Sequence, residues 1–265
     1  MTLVIAHRGW SGLRPEQTRA AYDAAVDLAE RTGARIGLEC DVHFSADGQL
    51  ICLHDLDLAR TGGVAIPAVE LTVARLKEID VGSWFLGPRP SGGGPSGSSA
   101  PDPAREVLTL DELFDLVAAA RNRGVDVVAV VETKHPNPRG HAVEEALIGK
   151  LRERGWTGAD APVRMISFDP EAVAILAREL PDLPRSQLEF PAVWLDGVAA
   201  PAISPWLGMI RREPERVTRA HEAGLEVHVW TVNEPADIDY CVEIGVDAIT
   251  SDHPDRVLAR LASRL

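Results

Sequence analysis

Two histidines, three carboxylates and two cationic side chains stand at the ends of short apolar runs in this chain. Together they could carry metal-assisted hydrolysis. His7 and Arg8 follow Val-Ile-Ala, and Glu39 and Asp41 lie in Leu-Glu-Cys-Asp-Val. His54 follows Ile-Cys-Leu, and Glu132 and Lys134 close Val-Val-Glu-Thr-Lys. Ends of strands are where parallel sheets and barrels build their active sites.

Residues two apart on a strand point the same way. Gly37, Glu39 and Asp41 therefore share one face of their run, and Ile36, Leu38, Cys40 and Val42 share the other. If the apolar set faces outer helices, the two carboxylates point inward near the mouth of a barrel. Anions held that close repel one another in a low dielectric, and a divalent cation relieves the repulsion. All-oxygen ligation favours magnesium or calcium, and also serves manganese, over zinc. Taken alone, the Glu-x-Asp pattern fits a solvated strand end more often than a metal site. Glu132 shifts the balance, because it ends an apolar run in which an unpaired charge is costly. Lys134 lies on the same side, where it either neutralises Glu132 or meets an anionic substrate. The three acids together read best as a metal site, with Lys134 as a phosphate contact.

His7 and His54 come from runs that flank the acidic one. An imidazole at a strand end is often structural, but two beside three carboxylates form a general acid/base pair suited to neutral pH. The Arg8 guanidinium can fork onto phosphate oxygens, or pair with an acid as structure. Trp230 ends an alternating run in which Val227 and Val229 oppose His228 and Trp230. It reads as a rim aromatic or a wall for substrate, and Phe168 has the same two readings.

Positioning these groups requires alternating strands and helices. Apolar periodicity predicts strands over residues 3–6, 36–42, 50–53, 125–131, 163–167, 226–231 and 248–250, with weaker candidates at 185–188 and 202–204. Helices are expected over 18–31, 110–123, 141–154, 170–180, 214–223, 235–244 and 255–265, several closed by glycine. Repeated strand–helix units imply parallel strands with right-handed crossovers, and about eight strands in 265 residues imply an α/β fold of the (β/α)8 TIM barrel type. No Gly-x-Gly-x-x-Gly or phosphate-binding Gly-x-x-x-x-Gly-Lys run follows the first strand, which weakens a nucleotide-binding reading. The chain reads as a single domain over 1–265. An excursion over residues 55–107 interrupts the rhythm after the second or third strand. It is read as a cap with a weak helix at 72–79, an aromatic pair (Trp84, Phe85) and a flexible Pro/Gly/Ser-rich loop at 88–103.

A net charge of −13 with no long basic run argues against a nucleic-acid partner. Cys40, Cys52 and Cys241 form no Cys-x-x-Cys pair and read as buried, reduced thiols. No apolar run approaches the roughly 20 residues of a membrane span, and the start lacks a charged segment followed by an apolar one. A cytoplasmic protein is expected. Oligomeric state is not encoded in any feature of the chain.

The motifs together resemble the glycerophosphodiester phosphodiesterase family along almost the whole chain. His-Arg-Gly at 7–9 is similar to the family's opening motif. Pro-Glu-Gln-Thr at 15–18 resembles its Pro-Glu-Asn-Thr, with Gln17 in place of asparagine. Glu39–Gly48, His54–Thr61, Val131–Lys134, Ser167–Phe168, Val229–Asn233 and Gly245–Pro254 complete the series, with Ser45 for threonine and Ser251 intervening before Asp252. The resemblance implies a TIM barrel with a small insertion after the His-Asp motif. It implies one divalent ion on Glu39, Asp41 and Glu132, and His7 and His54 as the acid/base pair. It further implies Arg8 and Lys134 on the phosphate, Trp230 and Phe168 against the substrate, and Glu16 in a loop that helps position it. The implied reaction converts a glycerophosphodiester to sn-glycerol 3-phosphate and an alcohol, by way of a cyclic phosphate. Two alternatives stay open: a phospholipase D-like cleavage of lysophospholipids on the same barrel, or a non-catalytic barrel that binds phosphodiesters.

Overall fold

The computed structural model describes residues 2–86, 102–189 and 197–264. Eleven strands are found among them: β1 (Leu3–Ala6), β2 (Ile36–Phe44), β3 (Leu50–Cys52), β4 (Asp57–Leu58), β5 (Val64–Pro67), β6 (Val127–Thr133), β7 (Val163–Ser167), β8 (Arg185–Glu189), β9 (Ala202–Pro205), β10 (Glu226–Val229) and β11 (Ala248–Ser251). Eight of them form a closed parallel ring in the order β1, β2, β6, β7, β8, β9, β10, β11, and β11 returns to β1. The TIM barrel expectation is therefore met. The predicted strand at 50–53 exists but lies outside the ring, paired antiparallel to the end of β2.

Periodicity sorts the side chains as expected. Ile36, Leu38, Cys40 and Val42 are fully buried against an outer layer that includes Tyr22, Ala25, Leu113 and Val117. Ile5, Val128, Val130, Ile166, Leu188 and Ala248 fill the inside of the ring. Gly37 points into that inner layer. A Cβ there would meet Ile5 Cγ1 at 2.9 Å and Val130 Cγ2 at 3.1 Å, so a glycine leaves the room those branched side chains use. The three cysteines are buried free thiols.

Helix boundaries moved by one to three residues, for local reasons. The first helix is Arg19–Thr32: Thr18 caps it by accepting from the Ala21 amide, and Gly33 closes it at φ 66°. Leu110–Asn122 opens with a reciprocal capping box between Thr109 and Glu112. The strand expected at 125–131 runs instead over Val127–Thr133, so Glu132 lies within it. The strand expected at 226–231 stops at Val229, and Trp230 continues it only as an isolated parallel bridge to Trp206. The closing helix, expected over 255–265, is Pro254–Ala262.

The excursion after β3 is built differently from its reading in sequence. Helix at 72–79 shrinks to one turn, Val73–Leu76, and a β4–β5 hairpin precedes it. Leu58, Ala68, Leu76, Val81 and Val107 make a small apolar core with Ile51 and Leu53. Trp84 and Phe85 stand edge-to-face in the 3-10 turn Ser83–Leu86. Of the loop expected at 88–103, residues 88–101 lie outside the described residues, and Pro103–Arg105 forms a 3-10 turn capped by Asp102. A short helix at Leu207–Arg212 was not anticipated.

Gly37→Val should overpack the inner layer and lower stability by about 1–3 kcal/mol. Urea unfolding of the variant should show a lower midpoint at unchanged slope, and an unchanged midpoint would contradict the inner-face assignment.

Candidate active site

At the C-terminal ends of the strands the barrel opens into a cavity of about 280 Å³. Its apolar floor includes Ile5, Val130, Ile166 and Leu188. Its rim carries His7, Arg8, Glu39, His54, Glu132, Lys134, Phe168 and Trp230. Eight of the ten residues singled out in the sequence thus meet in one place. The other two, Asp41 and Glu16, stand directly behind it.

The carboxylates come together because β2 and β6 are adjacent and in register, with Asp41 opposite Glu132. One oxygen from each of Glu39, Asp41 and Glu132 lies within 4.8 Å of the others, and all three residues are buried. Lys134 Nζ reaches Asp41 Oδ1 at 2.8 Å and Glu132 Oε1 at 2.7 Å. The Arg8 backbone amide donates to Glu39 Oε2 at 2.8 Å, and its guanidinium Nε lies 3.3 Å from Asp41 Oδ2. Gln17 donates to the same Asp41 oxygen at 2.5 Å and accepts from the Tyr22 hydroxyl. Arg8 and Gln17 have φ of 56° and 59°, the two positive values at non-glycine residues among those described. Backbone held in that region persists where surrounding contacts fix it, and such residues cluster at functional sites.

Electrostatics sets the three acids apart. Burial pushes the Glu39 carboxyl well up, and the Asp41 and Glu132 anions push it further. Burial, then Asp41, pushes Glu132 up to about 8 despite Lys134. Burial would raise Asp41 as well, but Lys134 and Arg8 outweigh it and hold Asp41 below the usual carboxylate range. Two cations thus do not fully compensate three buried carboxylates, which favours protons on Glu39 and Glu132. A divalent cation would replace those protons on a ready-made all-oxygen set, so the residues fit such an ion.

Each histidine is held by its own acid. His7 Nδ1 donates to Asp252 Oδ1 at 2.6 Å, and His54 Nδ1 donates to Asp55 Oδ1 at 2.8 Å. The carboxylate partners hold each ring through Nδ1 and leave Nε2 free to take up or give a proton. Burial lowers the His54 pKa, with Lys134 and Arg8 adding to the effect and Asp41 opposing it. Burial would raise Asp252, but hydrogen bonds from His7, Asn233 and Ser11 keep its carboxyl far below the ordinary range. Glu16 is bound by two guanidiniums: Arg8 Nη1 at 2.8 Å, and Arg60 Nη1 and Nη2 at 2.7 and 2.8 Å. Arg60 also holds Asp55 at 2.7 Å, so the excursion after β3 grips the site from the side. Phe168 and Trp230 stand edge-to-face, 5.5 Å between centroids.

Asp252, Asp55, Asn233 and Gln17 were not singled out from the sequence as working parts of the site. Each lies inside a recognised motif, but, except for Asp55 beside His54, its partner is distant in the chain: Asp252 is 245 residues from His7. One available signal was Asp252 following the last strand, at the same end of the barrel as the other acids.

A family model described as "Glycerophosphoryl diester phosphodiesterase family" matches residues 7–256. A Mycobacterium tuberculosis protein named "Probable glycerophosphodiester phosphodiesterase 1" is 38% identical over 97% of this chain and 92% of its own length. A Bacillus subtilis glycerophosphodiester phosphodiesterase is 29% identical over 96% of this chain and 84% of its own length. A crystal structure from Silicibacter pomeroyi DSS-3 superposes with a TM-score of 0.80 at 28% identity, covering 100% of this chain and 94% of that one.

The raised carboxyls fix the sign of a pH effect. Burial pushes Glu132 up to about 8 and raises Glu39 too, so both favour a proton near neutrality that a binding cation must displace. Affinity for magnesium or calcium should therefore rise as pH goes up through neutrality. Calorimetric titration in buffers of different ionisation enthalpy should read this as proton release at pH 7. Glu39→Ala should weaken cation binding, and normal affinity in that variant would refute its role as a ligand.

Proposed function

This chain belongs to the glycerophosphoryl diester phosphodiesterase family, and from that premise we propose how its own residues hydrolyse a glycerophosphodiester. The products are sn-glycerol 3-phosphate and an alcohol. One divalent cation, magnesium or calcium and alternatively manganese, sits on Glu39, Asp41 and Glu132. The observation that carries this reading is the meeting of three buried carboxylates with two imidazoles, each oriented by its own acid. When bound, the cation polarises a non-bridging phosphate oxygen and offsets the charge gained in the transition state.

Arg8 and Lys134 bind the phosphate and hold it against the carboxylates that repel it. Glu16 positions the Arg8 guanidinium rather than meeting the substrate. His54, kept neutral by burial, takes the proton of the glycerol hydroxyl next to the phosphate. That oxygen bonds to phosphorus as the bond to the departing alcohol breaks, and His7 delivers a proton from Nε2 to the departing oxygen. Water then opens the cyclic phosphate with the proton transfers reversed. His7 takes the proton of water, and His54 returns one to the glycerol oxygen. Phe168 and Trp230 give the apolar side of the substrate a wall. The chain is read as one barrel domain in which residues 55–107 act as a cap, bringing Arg60 to Asp55 and Glu16. Membership of an enzyme family sets aside the non-catalytic alternative.

Purified protein should release glycerol 3-phosphate from glycerophosphocholine or glycerophosphoethanolamine. The signal should vanish with a chelator and return with a divalent ion, and activity that survives exhaustive chelation would sink the mechanism. A preference for lysophosphatidylcholine in the same assay would favour the lysophospholipid alternative. His54→Ala should lower kcat by about 10²–10⁴ while leaving cation affinity nearly intact. Asp252→Asn should cost on the order of 10²-fold or more in kcat through the wrong His7 tautomer. Wild-type turnover in Asp252→Asn would remove His7 from the chemistry.

A further inference from the structure

A second cluster of metal-ligating side chains lies beyond Phe168, outside the catalytic set. His135 leads into the loop after Lys134. His141 and Glu144 stand at the start of the helix Ala142–Arg154. One ligand atom from each of these three lies within 4.8 Å of the other two. Their side chains are graded in burial, with Glu144 fully enclosed, His135 10% exposed and His141 39% exposed. Beside them is a concavity of about 460 Å³, lined by His135, Asn137, Phe168 and Asp169 among others.

Two observations separate this cluster from an ordinary hydrogen-bond network. The first is the state of Glu144. Its Oε1 faces His135 Nε2 at 3.0 Å, but Oε2 is buried with no hydrogen-bond partner among the described residues. A buried carboxylate oxygen without a donor is costly, and native structures rarely leave one so. The second is the surroundings of the imidazoles. Asp169 Oδ2 lies 3.0 Å from His141 Nε2 and 3.4 Å from His135 Nδ1. A carboxylate that orients a histidine through one ring nitrogen is a recurrent partner of metal-ligating imidazoles. The two rings lie 5.0 Å apart between centroids, tilted at 38°, close enough for both to reach one ion after a small adjustment.

We propose that His135, His141 and Glu144 form a second metal site that takes a zinc-class divalent ion, with Asp169 orienting the rings. Two imidazoles with one carboxylate suit zinc and its neighbours, in contrast to the all-oxygen set at the barrel mouth, which suits magnesium or calcium. The ion supplies the missing partner of Glu144 Oε2. It ties the loop after Lys134 to the following helix, next to Phe168. His141, at the surface, gives the ion a way in. The site is independent of the catalytic reading, and its test uses bound metal rather than turnover.

The experiment uses the full chain in excess magnesium, which occupies the all-oxygen site. Zinc retained after gel filtration is measured by elemental analysis, and cobalt(II) serves as an absorbing probe. The expected result is one retained equivalent of zinc and a visible cobalt spectrum typical of nitrogen-containing four-coordinate sites. His141→Ala and Glu144→Gln should each weaken zinc binding by about tenfold or more, and Glu39→Ala should leave it unchanged. His141 is half-exposed, so its replacement keeps the fold, which thermal melting would verify. No retained zinc, or zinc lost in Glu39→Ala but kept in His141→Ala, would overturn the proposal.

Discussion

The site depends on three carboxylates buried together at the mouth of a barrel, with two cations to answer them. Separation in sequence does not matter here, because β2 and β6 lie side by side and set Asp41 opposite Glu132. Glu39 follows from the two-residue period of the same strand. Their mutual repulsion is the reason the surrounding polar groups take the form they do. Lys134 bridges two of the acids, the Arg8 amide caps the third, and Gln17 fills the remaining position on Asp41. The strained backbones of Arg8 and Gln17 are held by those same contacts.

The barrel separates two kinds of burial. Outward-facing residues of β2 join an extensive apolar layer under the helices, and inward-facing ones meet a smaller apolar plug. The plug lines the base of the cavity with apolar side chains, and such low-dielectric surroundings strengthen charge interactions. The polar rim stands over that apolar base. The excursion after β3 reaches the rim from one side. It carries its own small core and extends Arg60 to two acids of the rim.

Much of this was legible in the sequence, because the strongest signals there are local. Alternation in Ile36–Phe44 told the two faces apart, and an acid at the end of an all-apolar run marked Glu132 as unusual. Caps and glycines located most helices to within a few residues. What stayed hidden was pairing between distant segments. Asp252 looks like any acid after a strand until β11 is laid beside β1. Gln17 reads in sequence only as a replacement for asparagine, whereas in the fold its amide holds Asp41. The 72–79 helix failed because a short apolar stretch cannot declare its period, and the small core of the excursion was satisfied by a single turn and a hairpin.

Closure of the ring has a consequence for how the two histidine supports are built. The acid that orients His7 directly follows β11, which is the last strand in the chain and the one that pairs with the first. The pairing that sets Asp41 opposite Glu132 lies between β2 and β6, on the far side of β1 from that seam. The carboxylate cluster and the His7–Asp252 pair therefore rest on different seams of the ring, and a change at the β1–β11 seam would reach the first imidazole without touching the acids.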